Sequence, residues 1–183
     1  RAKYSAKQER SIGVGALGFH AYLQKNGLAW ESNEAKGANL RMFRHIRSKL
    51  DEANTSIGKE RGEAPDAKGT GNRFSHLMAI APNASSSIIM GNTSPSIEPW
   101  RANAYRQDTL SGAYLNKNKY LDALIKEYCE KHPRTNYDEV WSSIISNDGS
   151  VQHITQLSDE QKAIFKTSME IDQRWLIEHA ADR

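Results

Sequence analysis

The sequence has little cysteine and no long hydrophobic run, and each shortage excludes a class of protein. Its 183 residues include one cysteine, Cys129, so an internal disulfide is excluded and a reducing compartment is expected. No apolar run approaches the roughly 18 residues that a membrane-spanning helix needs. These absences predict a cytoplasmic protein without a membrane partner. The chain also lacks an initiator Met and stops inside a predicted helix, so we expect it to be a piece of a longer protein.

Charge and metal-ligand patterns are equally sparse. The sequence contains 25 basic and 22 acidic residues, so its net charge is small. The densest basic stretch, residues 41–49, has the spacing of a solvated helix face. Nucleic-acid binding is therefore not expected. The histidines and Cys129 show no metal-ligand spacing, and the scattered acids form no general acid–base pair. We predict neither a metal site nor a catalytic residue in this segment.

Hydrophobic periodicity predicts a chain in which helices outnumber strands. Apolar residues recur at helical spacing in five segments, over residues 10–25, 38–61, 119–131, 137–146 and 158–181. One strand is predicted in SHLMAIAP, residues 75–82, because this apolar run has strand length and ends at a proline. Its composition is typical of a strand buried on both faces.

Three glycines near the start of the chain form the pattern GxGxxG. Gly13, Gly15 and Gly18 match the dinucleotide-binding fingerprint, which requires a buried strand before the glycines and an acid after the next strand. The preceding residues, KYSAKQER, are too polar for a buried strand. We therefore favour glycines that allow close helix packing, and a nicotinamide-dependent dehydrogenase is the alternative.

The densest group of small hydrogen-bond donors follows the predicted strand, in Pro82-Asn83-Ala84-Ser85-Ser86-Ser87. A strand that ends at a proline delivers the backbone to a turn. A helix starting near Ser86 would then present free amides and hydroxyls to an anion, as phosphate sites do. A serine-rich helix cap without a ligand explains the same residues, and the local pattern leaves both interpretations open.

Longer stretches resemble one family. The run APNASSSIIMGNTSPSIEPWRANAYRQDTLSG is similar to the large, catalytic subunit of class I ribonucleoside-diphosphate reductase. The likeness continues in order through RSIGVGALGFHAYLQKNGL, ISNDGSVQHI and LSDEQKAIFKTSMEIDQRWLIEHAADR, so it covers essentially the whole chain.

The resemblance implies an α/β fold, in which residues 1–183 form a helix-rich part of a ten-stranded catalytic barrel. It also implies that the diphosphate of a ribonucleoside diphosphate is held by Pro82, Asn83, Ala84, Ser85 and Ser86, with Ser87 just beyond. Asn83 and Ser86 stand where the family has threonine, and both keep a hydrogen-bonding group. The family's radical cysteine loop, tyrosine pair and C-terminal cysteine pair are missing from this sequence. A fragment without its own catalytic residue is therefore expected.

The resemblance further implies partners for the complete enzyme. These are the remainder of the large subunit, a second large subunit in a homodimer, a metal-containing small subunit that generates the radical, and a thiol reductant of the thioredoxin or glutaredoxin type. The segment itself is expected to bind no cofactor. A stand-alone phosphate- or nucleotide-binding module without catalysis is the alternative.

Overall fold

The structure is a computed structural model that describes the backbone of residues 1–183 and every side chain except that of Thr109. Its elements are α1 (Ala2–Glu9), α2 (Phe19–Lys25), α3 (Asn33–Arg61), a short 3-10 turn (Pro65–Ala67), α4 (Ala84–Ile89), β1 (Ala104–Thr109), β2 (Gly112–Lys117), α5 (Lys119–Lys131), α6 (Tyr137–Ser146), α7 (Asp159–Ile164) and α8 (Gln173–Ala181). Among the described residues, none of these helices combines the length and hydrophobicity needed to cross a membrane.

The predicted helices with strong local signals are confirmed. Helices α5 and α6 have the predicted bounds, and each begins where an asparagine side chain, Asn118 or Asn136, accepts hydrogen bonds from the first backbone amides. Helix α3 begins earlier than expected because Ser32 caps it, accepting the Ala35 N–H at 3.0 Å. It ends at Gly62, whose positive φ of 78° stops the helix.

The prediction of one helix over residues 10–25 is wrong for its first half. Residues 11–17 are not helical, and the stretch from Ile12 to Val14 pairs in parallel with residues 76–79, with an isolated bridge between Val14 and Met78. The Ile12 N–H donates to the His76 carbonyl at 3.0 Å, and the Ala79 N–H donates to the Val14 carbonyl at 3.2 Å. Three glycines and two β-branched residues make this stretch a poor helix former, so the strand-like pairing prevails.

The predicted strand over residues 75–82 is only partly present. Its middle is extended through the bridge to Val14, and Leu77 is buried, but Ile80 is 59% exposed. The prediction that residues 75–82 form a strand buried on both faces is therefore wrong for this chain. A strand of a barrel needs a neighbour on each side and helices over its outer face. Within the described residues, the only neighbour paired with this stretch is the segment from Ile12 to Val14.

The predicted helix over residues 158–181 is interrupted. Its capping box at Ser158 and Gln161 is confirmed, but α7 ends at Ile164 and α8 begins at Gln173, capped by Asp172. Between them, Phe165 and Ile171 are buried in two different hydrophobic clusters. A straight helix has one apolar stripe and cannot reach both, so the chain turns.

Two elements were not anticipated from the sequence. Helix α1 is polar and has no buried residue. Strands β1 and β2 form an antiparallel hairpin with Tyr105 opposite Asn116 and Thr109 opposite Gly112. Both strands carry mixed polar and apolar residues, which gives little periodicity to recognise.

The apolar residues form two clusters. The first joins the hairpin, α5, α6 and the turn after α7, and its members are Ala104, Leu121, Ile125, Val140, Trp141, Ile144, Val151, Ile154, Leu157 and Phe165. The second lies around α2 and the start of α3 and consists of Phe19, Leu23, Trp30, Ala35 and Ile171.

Buried amides connect the two clusters. Asn103 donates to the carbonyls of Gly149 and Phe165 at 3.0 and 2.7 Å, and its own carbonyl accepts from Asn118 at 2.9 Å. Asn118 also donates to Gln24 of α2 at 2.8 Å. These side chains are buried and paired, so they fix the hairpin ends relative to α2.

Candidate functional site

The serine-rich turn follows the extended segment, as expected, and its helix starts about two residues earlier than predicted. Asn83 has a left-handed backbone, with φ 56° and ψ 26°, and α4 begins at Ala84. Asparagine tolerates this conformation better than most residues. The Ser87 N–H closes the first helical hydrogen bond to the Asn83 carbonyl at 2.9 Å.

The three serines have different roles in the turn. Ser87 is buried, and its hydroxyl donates to the Ala84 carbonyl at 2.7 Å, so it stabilises the start of α4. Ser85 and Ser86 are exposed, and neither hydroxyl makes a hydrogen bond within the described part of the chain. The backbone amides of Ala84, Ser85 and Ser86 likewise lack an acceptor among the described residues. These donors remain available to an anion.

Two contacts from the glycine segment fix the backbone on both sides of the turn. A Cβ added to Gly13 would lie 2.8 Å from Ala79 Cβ. A Cβ added to Gly15 would lie 2.6 Å from the Ala79 carbonyl oxygen. A Cβ on Gly18 would lie 2.7 Å from Thr93 Oγ1. The glycines therefore serve close packing, as predicted, although the packing joins extended segments and not helices. The space that a dinucleotide pyrophosphate would need above Gly13 and Gly15 is filled by Ala79.

The residues after α4 hold it from one side. The Thr93 N–H donates to the Ser87 carbonyl at 3.0 Å, and the Tyr105 hydroxyl of β1 donates to Asn92 Oδ1 at 2.5 Å. A cavity of about 820 Å³ adjoins this side of the turn, lined by residues that include Ser87, Asn92, Trp100, Arg101, Tyr105 and Arg106. The sequence did not identify this support, because Tyr105 lies in the hairpin that was missed.

The possible metal ligands, the cysteine and the buried histidine contribute to packing and hydrogen bonding within the fold. No group of three or more histidine, cysteine or acidic side chains within the described residues could hold a metal ion. Cys129 is partly buried and packs against the first hydrophobic cluster, which is an ordinary helix position. His20 is buried, and its Nδ1 accepts the Trp100 N–H at 2.9 Å. Burial lowers the pKa of His20 to about 3, so it is neutral and ties α2 to the Trp100 loop.

These features define a helix-rich α/β segment with a serine-rich turn whose first backbone amides are unpaired at the end of an extended stretch. A family model described as the ribonucleotide reductase barrel domain matches residues 1–70 and 66–183. The chain belongs to this family.

Individual relatives agree with the family match. The chain is 55% identical over its whole length to the ribonucleoside-diphosphate reductase large subunit of Invertebrate iridescent virus 6, of which it covers 19%. It is 54% identical to the large subunit of Invertebrate iridescent virus 3, covering 29% of that protein. The solved Actinobacillus ureae class Id ribonucleotide reductase alpha subunit matches 98% of the chain with a TM-score of 0.84 and 41% identity, and 32% of that subunit is covered.

These matches confirm the resemblance found in the sequence and the assignment to a partial reductase barrel. The chain spans about a fifth to a third of the length of these relatives. The left-handed backbone of Asn83 has a local signal in the sequence, since asparagine after proline is typical of a turn residue.

Proposed function

We propose that this chain is the substrate-diphosphate-binding part of a class I ribonucleoside-diphosphate reductase large subunit. The complete enzyme replaces the 2′-hydroxyl of a ribonucleoside diphosphate with hydrogen by radical chemistry and so supplies deoxyribonucleotides. Support comes from family membership over the whole chain and from relatives whose names state this activity. The observation that carries the site assignment is the row of unpaired donors at the start of α4.

Each residue of the turn has a proposed role. Pro82 and Asn83 reverse the chain, with the left-handed Asn83 turning the following amides toward one side. The amides of Ala84, Ser85 and Ser86 and the hydroxyls of Ser85 and Ser86 donate to diphosphate oxygens. Ser87 does not reach the substrate in this proposal, because its amide and hydroxyl bind Asn83 and Ala84. It keeps the donors in place.

The activity requires polypeptide beyond this chain. A radical cysteine loop and the radical-transfer tyrosines come from the remainder of the large subunit, which acts as a homodimer in the cytoplasm. A small subunit containing a metal generates the radical, and a thiol reductant of the thioredoxin or glutaredoxin type restores the enzyme. The family match supports this general scheme. We therefore expect no reductase activity from the chain alone.

The test is the double variant S85A/S86A in the longer subunit, assayed with the small subunit and a thiol reductant. Each lost hydrogen bond to a charged oxygen contributes roughly 1.5–3 kcal/mol, so the KM for a ribonucleoside diphosphate should rise more than tenfold. S142A, at an exposed serine of α6, is the matched control and should leave the KM unchanged. Unchanged diphosphate binding in S85A/S86A would reduce the turn to a helix cap and remove the site assignment.

A further inference from the structure

A second cavity lies apart from the residues of the serine turn, between the paired extended segments and helices α3 and α8. Its volume is about 250 Å³. The walls are mostly apolar, and they also carry two arginines and a serine but no acidic side chain. The lining residues used below are Phe43, Arg47, Met78, Ser96 and Arg183.

Arg183 brings a buried cation to this cavity. Its guanidinium lies between two aromatic rings, 4.8 Å from the centroid of Phe19 and 4.5 Å from that of Phe43. Nε donates to Asn39 Oδ1 at 2.8 Å. Nη1 and Nη2 are buried and have no hydrogen-bond partner among the described residues. Burial lowers the pKa of Arg183 to about 10, so the side chain remains charged at neutral pH.

Ser96 adds a third unpaired polar group. It is 2% exposed and has a left-handed backbone, with φ 43°, which is uncommon for serine. Its Oγ is buried without a hydrogen-bond partner in the described part of the chain. Ser94, two residues earlier, is equally buried, but its Oγ accepts the Ala21 N–H at 3.2 Å. The contrast indicates that Ser96 lacks an interaction that this chain does not provide.

The acids nearest to Arg183 each form an ion pair with another basic side chain. Asp51 accepts from Arg47 Nε at 2.9 and 3.1 Å, which also neutralises the second arginine at the cavity. Glu52 and Asp182 line a neighbouring cavity that Arg183 also borders. Glu52 accepts from Lys49 Nζ at 2.8 Å, and Asp182 forms an ion pair with Lys36 Nζ at 3.8 Å, although its Oδ2 is buried without a hydrogen-bond partner among the described residues. The cavity therefore has an unbalanced charge of one unit, from Arg183, and its unpaired guanidinium nitrogens form the fork that binds a planar carboxylate in two places.

We infer that the Arg183 cavity binds a carboxylate through Nη1 and Nη2 of Arg183 and the hydroxyl of Ser96. A monoanion balances the single guanidinium, whereas a phosphate dianion would remain partly uncompensated between apolar walls. The occupant is an aspartate or glutamate side chain from the part of the longer subunit outside this chain. The curated viral relatives support such a source, since at least two thirds of each one lies beyond the matched segment. The inference is independent of the serine turn.

The first test uses the 183-residue chain with a short Gly-Ser extension that moves the terminal carboxylate away from Arg183. Sodium acetate is titrated while NMR follows the methyl group of Met78, which lines the cavity. We expect a saturable shift, and R183L should weaken acetate binding roughly tenfold or more. R174L removes an 80% exposed arginine of α8, the helix that ends two residues before Arg183, and should keep the affinity. S96A should weaken binding less than R183L does.

The second test repeats the titration in the longer subunit, where the polypeptide's own carboxylate should fill the cavity and acetate should cause no Met78 shift. There, R183L should lower the unfolding temperature, R183K should restore part of it and R174L should have no effect. Inorganic phosphate tests for a free ligand. Phosphate binding to both forms without acetate binding would overturn the inference. Equal acetate binding to both forms, or no acetate binding to the chain, would also overturn it.

Discussion

Replacing Gly15 with alanine tests whether the glycine segment is a packing device. Gly15 has no positive φ, so alanine is compatible with its backbone, and the loss of glycine flexibility in the unfolded chain should stabilise by about 0.4–1 kcal/mol. Against this, the new Cβ would lie 2.6 Å from the Ala79 carbonyl oxygen. That atom belongs to the backbone of the paired segment and cannot rotate away.

The magnitude follows from these opposing effects. Forcing a methyl group into a well-packed contact costs about 1–3 kcal/mol, which exceeds the gain from the unfolded state. We therefore expect G15A to lower the free energy of unfolding by up to about 2.5 kcal/mol. The displaced Ala79 lies three residues before Pro82, so the KM for the diphosphate in the longer subunit should rise as well.

Urea denaturation measures the change in stability, and G37A supplies the control. Gly37 lies inside α3, and its added Cβ would meet only the flexible Arg41 Nη1, at 3.2 Å. G37A should therefore stabilise by up to about 1 kcal/mol through helix propensity. If G15A is stabilised like G37A, the packing argument fails. Nicotinamide binding by the chain, abolished in G15A, would refute it in favour of the dinucleotide interpretation.

Two further predictions concern buried polar groups. Because burial lowers the pKa of His20 to about 3 from 6.5, its stabilising effect is present above pH 6.5 and is lost as the pH falls toward 3. H20Q should reduce the slope of unfolding free energy against pH by about one proton, or 1.4 kcal/mol per pH unit, between roughly pH 6 and 4, and an unchanged slope would contradict the assignment. N103A leaves the Phe165 carbonyl without its donor and removes one of the two donors to the Gly149 carbonyl, which keeps the backbone N–H of residue 103 at 3.2 Å. It should cost about 2–4 kcal/mol in urea denaturation, whereas N33A at an exposed position should change little.

The elements that could be predicted from the sequence are those whose signals are local. Helices α5 and α6 have regular apolar spacing and an asparagine cap, and both bounds were correct. The pairing of Ile12 and Val14 could not be predicted in this way, because their partners lie at residues 76–79. A pairing over such a separation leaves no trace in an 18-residue window. The β1–β2 hairpin was not predicted for another reason, because its side chains do not alternate between apolar and polar.

The candidate site likewise has features that could be predicted from local sequence and features that depend on tertiary packing. The serine-rich composition predicted where an anion could bind, and the family resemblance predicted which anion. Neither distinguished the buried Ser87 from the exposed Ser85 and Ser86, because that difference depends on how α4 packs against Thr93. The Arg183 cavity was invisible for a similar reason. Its three unpaired groups come from residues 96 and 183, which only the fold brings to one space.

The glycine segment, residues 13–18, contacts the chain on both sides of the serine turn. Gly13 and Gly15 contact Ala79 before the serine turn, and Gly18 contacts Thr93 after it. Residues 13–18 thus hold the backbone on both sides of Pro82–Ser87 from a distant part of the chain. The turn itself has only a six-residue helix, too short to keep its shape alone in water. These contacts hold its unpaired donors in place, so the geometry of the proposed diphosphate site depends on the folded barrel segment and not on the serine sequence alone.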